Sequence, residues 1–118
     1  DAFVGILRRE YPEINVRNDS ATDVLKYVRE MGHDSCDAIV SGLPFSAFDD
    51  GLQNEILAAT YDALSPGGRF VTFSYFGLSY SPQGRSFQKN LSKQFNSFEK
   101  SSVIWKNFPP AFTLCATK

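Results

Sequence analysis

The sequence predicts an α/β fold, in which strands and helices follow one another along the chain and build an open sheet. The first observation is the apolar strand 37–40, which ends in a loop of small residues and proline before a helical pattern begins. The second is the strongly apolar stretch 70–75, which follows a Pro-Gly-Gly turn. Ligands of open α/β sheets bind outside the carboxyl ends of the strands. We therefore expect the loop Ser41–Phe45 to face a ligand.

Two helices and a short strand are predicted before the strand 37–40. Residues 1–10 carry apolar side chains at helical spacing, and this helix ends before Pro12 because proline restricts the residue in front of it. Residues 14–18 alternate between apolar and polar side chains, which predicts a strand. A second helix follows and stops at Gly32.

Two further helices are predicted after the loop. The first covers about residues 48–64 and ends where Pro66 and two glycines follow. Its apolar stripe consists of Leu52, Ile56, Ala59 and Ala63. The second helix starts at about Ser86 and is amphipathic. Its apolar face is formed by Phe87, Leu91, Phe95 and Phe98, and its basic face by Lys89, Lys93 and Lys100.

The end of the chain predicts an antiparallel hairpin that completes the sheet. Its strands are residues 102–105 and 111–116, and residues 106–110 join them. The two prolines in this connection exclude ladder hydrogen bonds there. Together with the earlier elements, this arrangement predicts one sheet with helices on both faces.

Length and composition indicate one soluble domain. The chain has 118 residues, no apolar run of the roughly 18 residues that a membrane span needs, and two cysteines without the spacing of a metal site. We expect a cytoplasmic protein without a metal. Residues 1–65 contain 5 Lys/Arg and 12 Asp/Glu, a net charge of −7, whereas residues 66–118 contain 7 and 1, a net charge of +6. This asymmetry suggests one face for an anionic surface, or two solvated sets of charges.

The loop Ser41-Gly42-Leu43-Pro44-Phe45 has the form small/polar-x-x-Pro-aromatic. It resembles the loop after the fourth strand of class I S-adenosylmethionine-dependent methyltransferases, which have a Rossmann-like sheet. A Leu-x-Pro-Gly-Gly-Arg stretch about two dozen residues later resembles the entry to the fifth strand of the same fold. The resemblance implies that residues 1–118 are the C-terminal two-thirds of such a domain, a single and partial methyltransferase domain.

The resemblance also implies roles for individual residues. The carboxylate of Asp19 is expected to accept a hydrogen bond from the adenine amine of S-adenosylmethionine; alternatively, Asp19 or Ser20 caps the helix that follows. The expected contacts of this cofactor are Asp19, Ser20, Ala21, Ser41, Gly42 and Leu43.

The methyl acceptor is expected to be an amine at the same edge of the sheet. The hydroxyls of Ser41 and Tyr75 are the predicted catalytic groups, because an oxygen that accepts an amine N–H directs the nitrogen lone pair. Pro44, Phe45 and Asn107 are predicted to bind the substrate, with the Phe45 ring at the rim, where it can stabilise a cationic product. Alternatively, Tyr75 packs on a neighbour and Asn107 has a structural role in its loop.

Within the class, the chain resembles bacterial phospholipid N-methyltransferases most. The stretches Ser65–Phe70 and Val103–Ala111, together with Tyr75, carry this resemblance. It implies phosphatidylethanolamine as substrate, with residues 85–106 in peripheral contact with an anionic membrane surface; alternatively, that helix packs on the sheet and solvates its lysines. Nucleic acid is disfavoured as substrate because adenine methyltransferases begin the loop with Asn, where this chain has Ser41.

The glycine-rich cofactor loop of the family has no counterpart in this sequence. We therefore expect the strand 37–40 to lie at an edge of the sheet, where it could pair with a second copy, or the chain to be part of a longer protein. The alternatives are a methyltransferase of the same fold with a small-molecule, nucleic-acid or protein substrate, and a non-catalytic interaction module.

Overall fold

The computed structural model describes all residues 1–118 and contains four α-helices and one four-stranded sheet. The sheet has the strand order β1-β2-β4-β3; β1 and β2 are parallel, and the other two pairs are antiparallel. This arrangement confirms the predicted α/β fold with antiparallel strands at its end. The helices are α1 (Ala2–Glu10), α2 (Val24–Glu30), α3 (Asp50–Ala63) and α4 (Pro82–Gln94), and the strands are β1 (Cys36–Ser41), β2 (Leu64–Tyr75), β3 (Ser97–Lys100) and β4 (Ala111–Thr117).

The two helices that follow β1 and β2 begin at capped ends. The Asp49 carboxylate accepts a hydrogen bond from the Leu52 N–H at 2.8 Å and starts α3. The Ser81 hydroxyl accepts one from the Gly84 N–H at 3.1 Å, and Pro82 is the first residue of α4. Proline suits that position because its missing N–H would have no helical partner there. Since α3 follows β1 and α4 follows β2, both helices begin near the carboxyl ends of these strands.

One hydrophobic core lies between the sheet and the pair α3 and α4. Side chains alternate along a strand, so Phe70 of β2 and Leu114 of β4 point into this core. Val40 of β1 points to the other face and is 81% exposed, and α1 makes no extended contact with the sheet. Of the two helical layers that we predicted, only one covers the sheet. As expected, β1 is an edge strand.

The predicted strand 14–18 is wrong, because these residues have no regular structure. A strand is stable only beside a partner that completes its hydrogen bonds. In this chain β1 pairs with β2 alone, and no strand lies on its other side. The alternating pattern of residues 14–18 predicted an extended strand, but the chain has no neighbouring strand with which these residues could pair.

The Pro-Gly-Gly turn is part of a strand rather than a connection in front of it. The helix α3 ends at Ala63 and β2 starts at once, so that two steps of β1, from Cys36 to Ala38, oppose five steps of β2, from Leu64 to Arg69. Gly67 has a positive φ of 79°, a conformation that glycine adopts without a steric penalty. A local bulge therefore accommodates the Pro-Gly-Gly turn, and the pairing of β1 with β2 continues beyond it.

The end of α4 and the last hairpin also differ from prediction. The helix ends at Gln94, and Phe98 and Lys100 lie in β3 instead. The strand predicted at 102–105 is reduced to a single bridge from Ile104 to Ala111. The helical spacing of the phenylalanines continues past Gln94, so it predicted too long a helix. Residues 97–100 form a strand instead, because they pair with the free edge of β4.

Candidate functional site

The carboxyl ends of the parallel strands β1 and β2 meet at one edge of the sheet. The end of β1 is held by Ser41, whose hydroxyl accepts a hydrogen bond from the Leu43 N–H at 3.2 Å. The hydroxyl of Thr72 donates to the Ser41 carbonyl at 3.1 Å and joins the two strands. These bonds fix the start of the loop, and they leave the Ser41 hydroxyl hydrogen available to a ligand.

A cavity of about 250 Å³ opens beside this loop. It brings Ala21, from the turn before α2, together with Ser41, Gly42 and Leu43. Four of the six residues predicted to contact the cofactor therefore line one cavity. Apolar side chains from β1, α2, α3 and β2 complete it: Val24, Ile39, Ile56 and Phe70. Such a wall suits a planar, largely apolar ligand.

The remaining two predicted cofactor residues have local partners. The carboxylate of Asp19 accepts hydrogen bonds from the Ser20 N–H at 2.9 Å and from the Tyr27 hydroxyl, and the Lys26 amine lies 3.9 Å away. The Ser20 hydroxyl accepts from the Thr22 N–H at 3.3 Å and is the cap of the short turn Ala21–Asp23. The cap that we predicted at Asp19 or Ser20 is thus Ser20. Sequence analysis missed Tyr27 and Lys26, since nothing in the spacing indicates that they face Asp19.

The Tyr27 hydroxyl is the main reason why the pKa of Asp19 lies below its ordinary value of 3.8, and the Ser20 N–H adds to the effect. Because folding lowers this pKa, the stabilisation is present above the unfolded pKa and is lost as the pH falls through the folded one. We expect Tyr27→Phe to raise the pKa of Asp19 towards 3.8, as measured by carboxyl carbon NMR titration. Any stability difference from the parent should disappear in acid. Tyr80→Phe, far along the chain, is the control, and an unchanged titration of Asp19 in Tyr27→Phe would contradict the assignment.

Tyr75 connects two further recesses at the same edge of the sheet. It lines a small pocket of about 80 Å³ together with Pro44, and a cavity of about 320 Å³ together with Asn107. Its ring meets Phe73 edge-on at 5.3 Å, while its hydroxyl takes no part in the hydrogen bonds of the chain. The three residues predicted to bind the substrate, Pro44, Phe45 and Asn107, therefore line recesses that Tyr75 shares. The Asn107 amide also donates to the Pro109 carbonyl at 2.8 Å, which fits the alternative structural role.

The predicted position of Phe45 at the rim is wrong. Its ring is 3% exposed and stacks on Phe87 with centroids 4.3 Å apart and an interplanar angle of 13°. It also meets Phe70 edge-on at 6.1 Å. The short turn Phe45–Ala47 directs the ring into the core between the sheet and α4. Phe45 nevertheless lines the small pocket that it shares with Pro44 and Tyr75.

A buried polar network beneath the loop was missed by sequence analysis. The amide nitrogen of Gln53, which is fully buried, donates to the carbonyls of Phe45 and Gln83 at 2.9 Å and of Phe48 at 3.1 Å. Its oxygen accepts from the Asn90 amide at 3.1 Å. Gln53 thus joins the loop to α3 and α4 and positions residues that line the cavities. A glutamine at a core position breaks an apolar pattern, so its burial has no sequence signal.

Several solved structures are similar to this chain, whereas its sequence has no match among protein families. No family model and no curated protein matches the chain. Among solved structures it is similar to a Clostridium thermocellum protein assigned as an rRNA methylase, at 14% identity and a TM-score of 0.62, over 100% of this chain and 71% of that protein. It is also similar to an assigned methyltransferase in complex with S-adenosylhomocysteine, at 13% identity and a TM-score of 0.54, over 94% and 35%. A Bordetella parapertussis protein described as a possible exported protein gives 16% and 0.52, over 82% and 48%.

The chain therefore spans between about a third and 71% of the lengths of these structures. At such identities the likeness establishes the fold, which is the Rossmann-like fold of S-adenosylmethionine-dependent methyltransferases. None of the helices has the length and apolar character that would let it cross a bilayer.

Proposed function

We propose that this protein is an S-adenosylmethionine-dependent methyltransferase that acts on an amine. The observation that carries the proposal is the cavity at the carboxyl end of β1, which Ala21 and the loop Ser41–Leu43 line together. In open α/β sheets this edge is where ligands bind. The likeness to methyltransferase structures, one of them holding S-adenosylhomocysteine, supports the same cofactor for this fold.

The residues of this cavity fit the adenine end of the cofactor. Ile39 and Ile56 provide an apolar wall, and the exposed backbone at Gly42 lets a flat ring approach closely, since a side chain is missing there. Asp19 lies on the adjoining segment and keeps lone pairs for an amine donor, besides those that Ser20 and Tyr27 use. When bound, the cofactor supplies an activated methyl group on sulfur.

The chain itself contributes position more than acid–base chemistry. Holding the amine in line with the methyl group converts a bimolecular step into a unimolecular one. The hydroxyls of Ser41 and Tyr75 accept its N–H groups and direct its lone pair. Pro44 and Asn107 line the recesses on either side of Tyr75. The buried Phe45 ring is unsuited to a cation–π contact, so that role is left to the half-buried ring of Tyr75.

The substrate of the proposed reaction is an amine carried by a nucleic acid or another non-lipid acceptor rather than phosphatidylethanolamine. The likeness to an assigned rRNA methylase over the whole chain supports this alternative. The lipid substrate is supported by the resemblance of Val103–Ala111 to phospholipid N-methyltransferases. That stretch contains an exposed Trp105 and Phe108, which also suit a bilayer surface, and it keeps the lipid as a second candidate.

The test is isothermal titration calorimetry of the 118-residue chain with S-adenosylhomocysteine. We expect saturable binding, and Ala21→Trp, which fills the cavity, should weaken it by at least about tenfold, or 1.4 kcal/mol. Ala58→Trp on the exposed side of α3 is the matched control and should leave the affinity unchanged. A chain that is folded by circular dichroism but releases no heat would overturn the proposal for these 118 residues, which would then be a methyltransferase fragment without its cofactor centre or a non-catalytic interaction module.

A further inference from the structure

The most spacious recess of the chain lies outside the residues assigned so far to methyl transfer. It has a volume of about 470 Å³, within the range of small-molecule sites. The turn Leu78–Tyr80, the helix α4 and the end of β3 enclose it. Its lining is basic and aromatic at once, and the residues that matter are Phe76, Tyr80, Arg85, Gln88 and Lys100.

Arg85 and Lys100 bring two positive charges into this cavity from different elements. All three ion pairs of the chain lie within residues 9–30, so neither Arg85 nor Lys100 has a carboxylate within 4 Å. The nearest acidic residue in sequence is Glu99, but neighbouring side chains on a strand point to opposite faces. Two uncompensated cations in a recess favour an anionic ligand, and Arg in particular matches the oxygens of a phosphate.

The cavity also presents flat aromatic surfaces beside these charges. Phe76 and Tyr80 line it, with their rings edge-on and 5.5 Å apart, and Tyr80 is 60% exposed. Trp105 lies outside the lining and contacts Phe76 at 5.1 Å. The side-chain amide of Gln88 makes no hydrogen bond within the chain and lines the same space. An amide of this kind can both donate to and accept from the edge of a base.

We propose that this cavity binds one nucleotide of a single-stranded nucleic acid, with the phosphate on Arg85 and Lys100 and the base against Phe76 and Tyr80. Basic grooves with interleaved aromatic rings are how proteins hold unpaired strands. A concave recess of this size suits one nucleotide, whereas the exposed side chains that would suit a bilayer, Trp105 and Phe108, lie outside its lining. The inference rests on the proposed function in one respect: the nucleic acid that binds here is the methyl acceptor.

The test is fluorescence anisotropy of a labelled single-stranded RNA dodecamer, and of DNA of the same sequence, with the 118-residue chain and without cofactor. At about 50 mM salt, Arg85→Ala with Lys100→Ala should weaken binding by at least about tenfold. Lys89→Ala with Lys93→Ala removes the same charge from α4 outside the cavity and should change binding by less than about threefold. In the double variant of Arg85 and Lys100, lysine instead of alanine at position 85 should recover part of the lost affinity. All four side chains are solvent-accessible, and circular dichroism checks folding.

The outcomes separate this inference from the proposed function. Binding of either strand through Arg85 and Lys100 supports the cavity even if S-adenosylhomocysteine does not bind. A chain that binds S-adenosylhomocysteine but neither strand overturns the cavity and leaves methyl transfer standing. Equal losses in the two double variants would mean diffuse charge rather than a site. Binding to phosphatidylglycerol vesicles but to neither strand would replace the nucleotide by a membrane surface.

Discussion

Replacing Phe45 with alanine is expected to lower the free energy of unfolding by about 3–5 kcal/mol. The ring is held on three sides: it stacks on Phe87, and it meets Phe48 and Phe70 edge-on. Alanine would remove these contacts and leave a cavity between α4 and β2, two elements that other core residues keep apart. Aromatic pairs of this geometry add to the loss from burial alone. Urea unfolding followed by circular dichroism gives the measurement.

The matched control is Phe108→Ala, because it removes the same side chain from a position that is 98% exposed. Its effect should stay within about 0.5 kcal/mol, as for most surface substitutions. The comparison separates the two descriptions of Phe45. A loss from Phe45→Ala as small as that from Phe108→Ala would restore the ring to the rim, where the sequence pattern placed it, and would revive its cation–π role.

The contrast between Phe45 and its neighbours shows what the sequence could predict. Ser41, Gly42 and Pro44 act locally: they end a strand and turn the chain, and the structure has a loop where they predicted one. Where the next ring points depends on α4, some forty residues later. No local pattern contains that information, so the loop was predictable and the direction of Phe45 was not.

The same distinction explains the strands. The stretch 70–75 was predictable because it runs through the centre of the sheet, between β1 and β4, and Phe70 joins the core. The strand predicted at 14–18 had a suitable pattern but no partner edge. The one predicted at 102–105 keeps a single bridge to Ala111, while Ser97–Lys100 had a weak pattern and pairs with the edge of β4. Strand formation is decided by pairing across the sheet, which periodicity along the chain does not report.

The candidate site divides in a similar way. Ala21 and the loop Ser41–Leu43 were predicted to share a ligand and line one cavity. The contacts that hold Asp19, and the cavity around Arg85 and Lys100, depend on side chains that meet only after folding. Residue types at a strand end could therefore be predicted, whereas their supporting partners could not.

The helix α3 is a further example and leads to Gln53. The predicted stripe began at Leu52, but Leu52 is exposed, and the buried face consists of Gln53, Ile56, Leu57, Thr60 and Ala63. Ile56 and Ala63 of the predicted stripe are thus buried as expected, but the buried face extends towards Gln53 and Leu57 rather than towards Leu52. Gln53, the most buried polar side chain of the helix, lies outside the predicted stripe, and its amide donates to carbonyls of the loop and of α4.

Gln53→Leu is expected to lower the free energy of unfolding by about 2–4 kcal/mol. It removes three hydrogen bonds, to the carbonyls of Phe45, Phe48 and Gln83, and it leaves the Asn90 amide without its buried acceptor. Leucine has a similar volume, so the loss reports hydrogen bonds rather than a cavity. Asn54→Leu is the control on the same helix: its amide bonds Asp50 at the exposed surface, where water can replace it, and the loss should stay below about 1 kcal/mol.

A double-mutant cycle with Asn90→Ala tests whether the network acts as a unit. Because the Asn90 amide donates to Gln53, we expect a coupling energy of about 0.5–3 kcal/mol rather than additive losses. The cycle also bears on function, since the network positions a loop without touching a ligand. If methyl transfer is the activity, Gln53→Leu should weaken S-adenosylhomocysteine binding while the protein is still folded, because Ser41–Leu43 would lose their support at Phe45. Unchanged affinity together with the full loss of stability would show that the loop keeps its shape without Gln53 and that this side chain serves the fold alone.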